Sequence, residues 1–237
     1  PAAVIFDLGR GGRFDARPDA SFGARATRAA TSRNGRRGAV GAGTGARAGG
    51  IQGGLGMAST TVEPAGSTIT VAALAVVNAS GAVLDPSSGL PWQPLPGLRR
   101  PPAAERKALA AAAAPPATQP LNTTIGVVAT DADLTRPEAG RLAIAAHDGI
   151  ARAVRPAHSL MDGDTVFGLA TGTIPLPPAS SGIVRGTASR AALLNLVLAA
   201  AADVFAAACT DAVVSATAVG STPAYRDLCP SALPEGM

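Results

Sequence analysis

Strand-like and helix-like segments alternate in the second half of this chain and predict a layered α/β fold. Residues 67–78, 123–130 and 165–172 are short runs of apolar and β-branched residues, which are typical of buried strands. Two longer stretches, 135–154 and 189–208, are predicted helices. Because strand, helix, strand and helix follow one another after residue 123, we expect helices to cover the faces of a sheet.

The first predicted helix has a strong start signal. Thr135 is a suitable N-cap, Pro137 stands in the first turn, and Glu138 lies three residues after the cap. Apolar residues then recur at helical spacing at Leu142, Ala146, Ile150 and Ala153. The second helix covers one of the most apolar stretches of the chain, 191–209. Because that stretch contains Asn195 and Asp203, it predicts a buried helix rather than a membrane span.

The first half is less regular. Residues 2–8 are predicted to form a buried strand, 18–30 a short helix and 38–56 a glycine-dense loop. Residues 85–121 are predicted to be a linker, since proline excludes regular hydrogen-bonded ladders. Its prolines include Pro86, Pro91, Pro94, Pro96, Pro101 and Pro102. The chain would thus divide into residues 1–122 and 123–237, which together form one domain.

The composition indicates how the core packs and argues against a nucleic-acid partner. Hydrophobic residues make up 47% of the 237 residues but aromatic ones only 3%, so the core must pack through close backbone approach. The net charge is +4, and Lys107 is the only lysine. Early arginines lack the interleaved aromatics of a base-stacking groove, so no nucleic-acid partner is expected. They are Arg25, Arg28, Arg33, Arg36 and Arg37.

The cysteines and histidines of the sequence are not spaced like metal ligands. Cys209 and Cys229 form no CxxC pair, and His147 and His158 show neither a zinc pattern nor a triad partner. We therefore expect no metal or organic cofactor, ordinary structural roles for both histidines, and a reduced, cytoplasmic location.

The junction at Asn122–Thr123 is the most informative point. A Pro/Ala-rich segment ends here and the strand TTIGVVATDA begins. Cleavage of this bond would give Thr123 a free α-amine, which titrates near pH ~8 and can activate its own hydroxyl as a nucleophile. The alternative is a loop followed by a strand that happens to begin with threonine.

Three more residues are candidates for the same site. Asn78 ends a predicted strand and is either a turn residue or an amide donor to an oxyanion. Asp162 and Asp164 flank Gly163 and are either an ordinary turn or a carboxylate pair that orients the Thr123 amine. The glycine loop is either a backbone wall of the site or a flexible connection, because no strand and helix flank it as a dinucleotide fingerprint requires.

Five motifs follow one another along the chain: GAGTGA, GGLGMAS, VVNASGAVLDP, NTTIGVVATDADLT and AHDGIARAVRPAHSLMDGDTVF. Together they resemble the DmpA/BapA-type aminopeptidase family, which includes the nylon-oligomer hydrolases. The resemblance implies a four-layer αββα sandwich and a precursor that cuts itself between Asn122 and Thr123. It also implies that Thr123 is the nucleophile, supported by Asn78, Asp162 and Asp164. Substrates would be short peptides or ω-amino-acid oligomers, and members are commonly tetramers.

Two features depart from the family pattern. A lysine is usual in the glycine loop, where this chain has Gly50, with Arg47 as the nearest cation. The chain also lacks the family's opening segment, so about the first third of a precursor is expected to be missing. Two other functions therefore stay open: an acyl transferase similar to ornithine acetyltransferases, and a non-catalytic or truncated hydrolase.

Overall fold

The fold is described from a computed structural model that covers residues 2–8, 13–32, 35–63, 67–113, 121–178 and 189–234. Its strands are β1 (Arg47–Ala48), β2 (Ile51–Gln52), β3 (Gly54–Val62), β4 (Ile69–Asn78), β5 (Leu84–Asp85), β6 (Leu90–Pro91), β7 (Thr123–Ala132) and β8 (Thr165–Ile174). The helices are α1 (Ala20–Ala29), α2 (Ala103–Ala112), α3 (Arg136–Ala153), α4 (Arg190–Val214) and α5 (Tyr225–Leu228), with 3₁₀ turns at Gly41–Gly43 and Pro230–Ala232.

The central sheet has the strand order β3-β4-β7-β8. The pairs β3–β4 and β4–β7 are antiparallel, whereas β7 and β8 are parallel and connected through α3. A parallel pair needs such a crossover because its strands run in the same direction. Helices α3 and α4 pack together on one face of the sheet, which confirms the predicted mixed α/β class.

Glycines let the helices approach the sheet backbone closely. A Cβ atom on Gly56 would lie 2.0 Å from the Ala208 carbonyl oxygen of α4. A Cβ on Gly168 would lie 2.2 Å from the Ala139 carbonyl oxygen of α3. The aromatic ring of Phe205 on α4 sits directly over Gly126 of β7, in space that a Cβ atom would otherwise occupy. The low aromatic content is therefore matched by tight backbone packing.

The start of α3 is linked to the start of α4. The Glu138 carboxylate accepts a hydrogen bond from the Thr135 backbone N–H at 2.8 Å, as the capping pattern predicted. It also accepts one from Arg190 Nε at 2.7 Å. The pairing with Arg190, helped by the Thr135 hydrogen bonds, lowers the pKa of Glu138 from 4.5 to about 2. One carboxylate thus caps α3 and orients α4.

Helix α4 forms the centre of the core. Within the described residues it alone is long and apolar enough to meet the length and composition criteria for a membrane span. However, it packs against α3, β3 and β4, and most of its C-terminal half is fully buried. Its Asp211 accepts hydrogen bonds from Arg37 and from the Met57 backbone N–H, which hold the helix to the edge of the sheet. The prediction of a buried helix agrees with this packing.

Two expectations for the first half were wrong. Residues 2–8 form no strand, and Val4 and Phe6 are 79% and 37% exposed. The Phe6 carbonyl accepts a hydrogen bond from the Asn78 side chain, so this segment lies against the site rather than in a ladder. The supposed linker contains β5, β6 and α2, and Leu109 of α2 is buried. Prolines there end elements without preventing them. Residues 114–120 of the linker lie outside the described residues.

Candidate active site

The ends of β4 and β7 bring two of the candidate residues together. Asn78 and Thr123 are direct register partners in the antiparallel pair. Asn78 is fully buried, whereas Thr123 is half-buried. The last residue of one strand and the first of the next therefore stand side by side at one edge of the sheet.

The Asn122–Thr123 peptide is held against the turn that precedes β8. The Asn122 N–H donates to the Met161 carbonyl oxygen at 2.9 Å, and the Gly163 N–H donates to the Asn122 carbonyl oxygen at 2.9 Å. The Thr123 hydroxyl also donates to the same Asn122 oxygen. The candidate scissile carbonyl is thus fixed from two sides, with the candidate nucleophile in contact with it.

Asp164 links this turn to the start of β7. Its side chain is only 5% exposed. Oδ1 accepts a hydrogen bond from the Thr124 N–H at 2.8 Å, and Oδ2 lies 2.7 Å from Nδ1 of His158. The carboxylate therefore holds the backbone immediately after the candidate nucleophile, Thr123.

Asp162 has a different set of partners. Oδ1 accepts from the Ser80 N–H at 3.0 Å, and Oδ2 accepts from the Ser159 hydroxyl at 2.5 Å. In the intact chain the carboxylate braces the loop after β4 against the turn before β8. It thereby links Ser80, two residues after Asn78, to the turn that contains Gly163.

Asn78 is oriented by backbone groups. Its Oδ1 accepts from the Arg47 N–H at 3.1 Å, and its Nδ2 donates to the Phe6 carbonyl oxygen at 3.3 Å. The first contact shows that the glycine loop is folded directly onto the end of β4. Because Oδ1 accepts from Arg47, the Nδ2 of the amide points away from the glycine loop and towards the Phe6 carbonyl oxygen.

Buried Gln52 braces the glycine loop and was not singled out from the sequence. Its Nε2 donates to the carbonyl oxygens of Ala46 at 2.8 Å and Thr44 at 3.1 Å. A polar side chain that is 1% exposed must find such partners. The loop is therefore ordered and lies against Asn78, and its part as a wall of an active site stays a prediction.

Gly50 lies near the place where the family resemblance led us to expect a lysine, and the structure leaves no room for a side chain there. Gly50 has φ +89°, and a Cβ atom would lie 2.5 Å from the Ala112 carbonyl oxygen at the end of α2. The end of α2 thus fills the space beside Gly50. The left-handed φ of Gly50 and the packed end of α2, which lies in the segment predicted to be a linker, both favour glycine at this position.

His158 contacts the site, although the sequence suggested no role for it. It adopts φ +52°, a left-handed conformation that is uncommon outside glycine. Its ring lies 5.2 Å from that of His147 on α3. Burial, with a smaller contribution from the His158 charge, lowers the pKa of His147. The only sequence signal for His158 was its place six residues before Asp164, in the same turn-rich segment.

The relatives that the chain matches include aminopeptidases and 6-aminohexanoate-oligomer endohydrolases, which places it among the hydrolases. The chain belongs to peptidase family S58, which it matches over residues 3–225. The resemblance to DmpA/BapA-type aminopeptidases predicted from the motifs is thereby confirmed.

Two relatives illustrate the range of sequence similarity. An uncharacterized aminopeptidase of Mycobacterium tuberculosis (strain ATCC 25618 / H37Rv) is 49% identical over 238 residues, 98% of this chain and 67% of that protein. A 6-aminohexanoate-oligomer endohydrolase of Kocuria sp. (strain KY2) is 33% identical over 118 residues, 48% of this chain and 33% of that protein.

Two solved structures share the fold. The L-aminopeptidase D-Ala-esterase/amidase from Ochrobactrum anthropi, described as a variant of the Ntn hydrolase fold, has a TM-score of 0.52 and 27% identity, covering 79% of this chain and 47% of that one. A β-aminopeptidase from Burkholderia sp. has a TM-score of 0.57 and 24% identity, covering 88% and 57%. The chain thus spans two thirds of the mycobacterial relative and about half of these solved chains.

Proposed function

We propose that the chain cuts itself between Asn122 and Thr123 and that Thr123 then acts as the N-terminal nucleophile of an amide hydrolase. The observation that carries the proposal is the geometry of the Asn122 carbonyl. Its oxygen is in contact with the Thr123 hydroxyl and accepts the Gly163 N–H at 2.9 Å. A nucleophile and a donor for the developing negative charge therefore meet at one peptide bond.

Self-cleavage would begin with attack of Thr123 Oγ1 on the Asn122 carbonyl carbon. The Gly163 N–H stabilises the oxygen as it becomes negative. The C–N bond then breaks, the nitrogen of Thr123 takes up the proton lost by Oγ1 and leaves as an amine, and an ester remains between Oγ1 and the Asn122 carbonyl carbon. Water then hydrolyses the ester and releases the Asn122 carboxylate. The hydrogen bond from Asn122 N–H to Met161 keeps the residue in place during the reaction.

In the cut protein the amine of Thr123 takes the proton from its own hydroxyl as that hydroxyl attacks a substrate carbonyl. Asn78, on the neighbouring strand, is the amide donor to the oxyanion, which would share its Nδ2 with the Phe6 carbonyl oxygen. Asp164 orients the new N-terminus through the Thr124 N–H, and Asp162 holds the two loops at the correct separation. Water hydrolyses the acyl-enzyme and regenerates Thr123.

The proposed substrates are short linear amides, either peptides with a small first residue or ω-amino-acid oligomers. Support comes from the small residues of the glycine loop beside Asn78 and from the named activities of the aminopeptidase and oligomer-hydrolase relatives. On the family resemblance we further propose a cytoplasmic homo-oligomer.

Intact-mass measurement of the purified chain tests the first step. We expect two species, residues 1–122 and 123–237, and N-terminal sequencing of the second should begin Thr-Thr-Ile-Gly. Thr123→Val should leave a single species because the attacking oxygen is lost, whereas Thr123→Ser should still cut.

Thr124→Val is the matched control. The Thr124 hydroxyl is buried on the opposite side of the strand, and no described residue accepts or donates a hydrogen bond to it. Its removal should leave cleavage unchanged. A chain that stays whole for days, or that is cut equally well in Thr123→Val, would eliminate the proposed nucleophile.

Turnover is measured separately on the cut protein, with L-alanyl p-nitroanilide and with linear 6-aminohexanoate dimer. Hydrolysis of either supports the amidase. Acyl transfer to an added amine that outpaces hydrolysis would favour the acyltransferase alternative. Cleavage with neither reaction would favour the non-catalytic alternative.

A further inference from the structure

His158 combines an uncommon backbone conformation with a close contact between its ring and a buried carboxylate. It is a non-glycine residue with φ +52°, in a turn between α3 and β8. Its Nδ1 lies 2.7 Å from Oδ2 of Asp164, a carboxylate whose side chain is 5% exposed. A histidine held in an uncommon backbone conformation with its ring nitrogen on a buried carboxylate is built into the site.

The contact continues to the nucleophile. The other oxygen of Asp164 accepts the hydrogen bond from the Thr124 N–H at 2.8 Å. A carboxylate that is bound at both oxygens cannot rotate about its Cβ–Cγ bond without losing a partner. The chain of contacts from His158 through Asp164 to Thr124 therefore ends one residue after Thr123.

We propose that His158 is a positioning residue for the reaction of Thr123: its Nδ1–H fixes the Asp164 carboxylate, which fixes the backbone that carries the nucleophile. This inference rests on the proposed function for its effect on rate. The contact itself can be measured whether or not the chain reacts.

The charged and titratable groups around the imidazole are few in the described part of the chain. His147 faces it from α3 and is itself within reach of the charge of Asp148. Asp162 and Asp164 lie in the turn of His158, and Cys209 of α4 lies close enough to Asp164 to respond to its charge. Of these, only Asp164 is hydrogen-bonded to the ring. The effect of His158 should therefore be transmitted through Asp164.

Amide hydrogen exchange at Thr124 tests the proposal on the full 237-residue chain. If His158 holds Asp164, His158→Ala should speed exchange of the Thr124 N–H, while distant β7 amides such as that of Val128 remain unchanged. His158→Asn should restore slow exchange, since asparagine tolerates a left-handed φ and its side-chain N–H can donate to Asp164. His147→Gln, at the neighbouring ring, is the matched control and should exchange like the wild type.

The protonation site of the ring gives a second, spectroscopic test. The sequence contains only two histidines, so His147→Gln assigns the ¹⁵N signals of His158 directly. We expect a protonated Nδ1 in the wild type, and a shift towards the Nε2–H tautomer in Asp164→Ala.

The rate of self-cleavage gives the functional test. His158→Ala should slow it about tenfold, the size expected for one partly exposed hydrogen bond to a carboxylate, and His158→Asn should recover most of the rate. Unchanged Thr124 exchange in His158→Ala, or an unprotonated Nδ1 in the wild type, overturns the proposal. A wild-type chain that keeps the exchange and tautomer pattern without cutting would instead overturn the proposed function alone.

Discussion

Replacement of Gly149 by alanine tests the close approach of α3 and α4. A Cβ atom there would lie 2.4 Å from the Ala202 carbonyl oxygen and 2.9 Å from both the Ala206 nitrogen and the Phe205 Cβ. Two of these are backbone atoms and the third is fixed to the backbone, so none can swing aside. Forced overpacking of this kind costs about 1–3 kcal/mol. Alanine regains about 1 kcal/mol of helix propensity over glycine.

Gly140→Ala, on the same helix, separates these two effects. A Cβ atom on exposed Gly140 would meet no atom within 4 Å, so this variant gains propensity without a clash. Because both variants gain the helix propensity of alanine, the difference between their free energies of unfolding measures the steric overlap alone. We expect Gly149→Ala to be about 1–3 kcal/mol less stable than Gly140→Ala. For a chain of this size, each kcal/mol of lost stability lowers Tm by about 2–4 °C.

Urea unfolding followed by circular dichroism would measure both variants against the wild type. We expect Gly140→Ala to be at least as stable as the wild type and Gly149→Ala to have a lower midpoint with an unchanged slope. Equal midpoints for the two variants would show that α3 and α4 are not packed at the distance described.

Three further outcomes are expected. Glu138→Gln should lower the free energy of unfolding by about 1–2 kcal/mol at pH 7, which is less than the full shift in pKa implies because solvent screens the pair. The stabilisation by Glu138 is present above the unfolded pKa of 4.5 and is lost towards pH 2. The stabilities of the two proteins, measured in an acid titration, should therefore converge at low pH. The lowered pKa of His147 means that its charged form is disfavoured in the fold, so the wild type should lose stability as pH falls below 6.5, and His147→Gln should lose less in a thermal melt series. Asp164→Asn should keep a native spectrum but lose about 10²-fold in amidase rate, because the backbone that carries Thr123 would be misplaced, and wild-type turnover would exclude its assigned role.

Local sequence patterns predicted the long elements of this protein well. Strands β4, β7 and β8 and helices α1, α3 and α4 were all expected, because each carries its own apolar run or capping pattern. Strand β3 was missed, since it begins in the glycine loop and uses glycine where an apolar side chain would otherwise face α4. The strand expected at residues 2–8 was wrong for the opposite reason: an apolar run alone does not supply a ladder partner.

The candidate site divides in the same way. The residue types made Thr123, Asn78, Asp162 and Asp164 candidates, because nucleophile, amide and carboxylates are chemically distinctive, but only the family resemblance favoured them over ordinary turn and strand residues. That Asn78 stands opposite Thr123 is decided by strand register, which no local pattern specifies. The long-range contacts were equally invisible in the sequence.

The roles of three residues depend on tertiary structure alone. Gly163 matters through its backbone N–H, His158 through a ring placed on Asp164 by a left-handed turn, and Gly50 through the helix end that fills the space beside it. The sequence by itself determined which segments fold and which side chains are chemically capable of reaction. The tertiary structure decided which of them meet, because hydrogen-bond partners distant in sequence are selected by packing and register rather than by local composition.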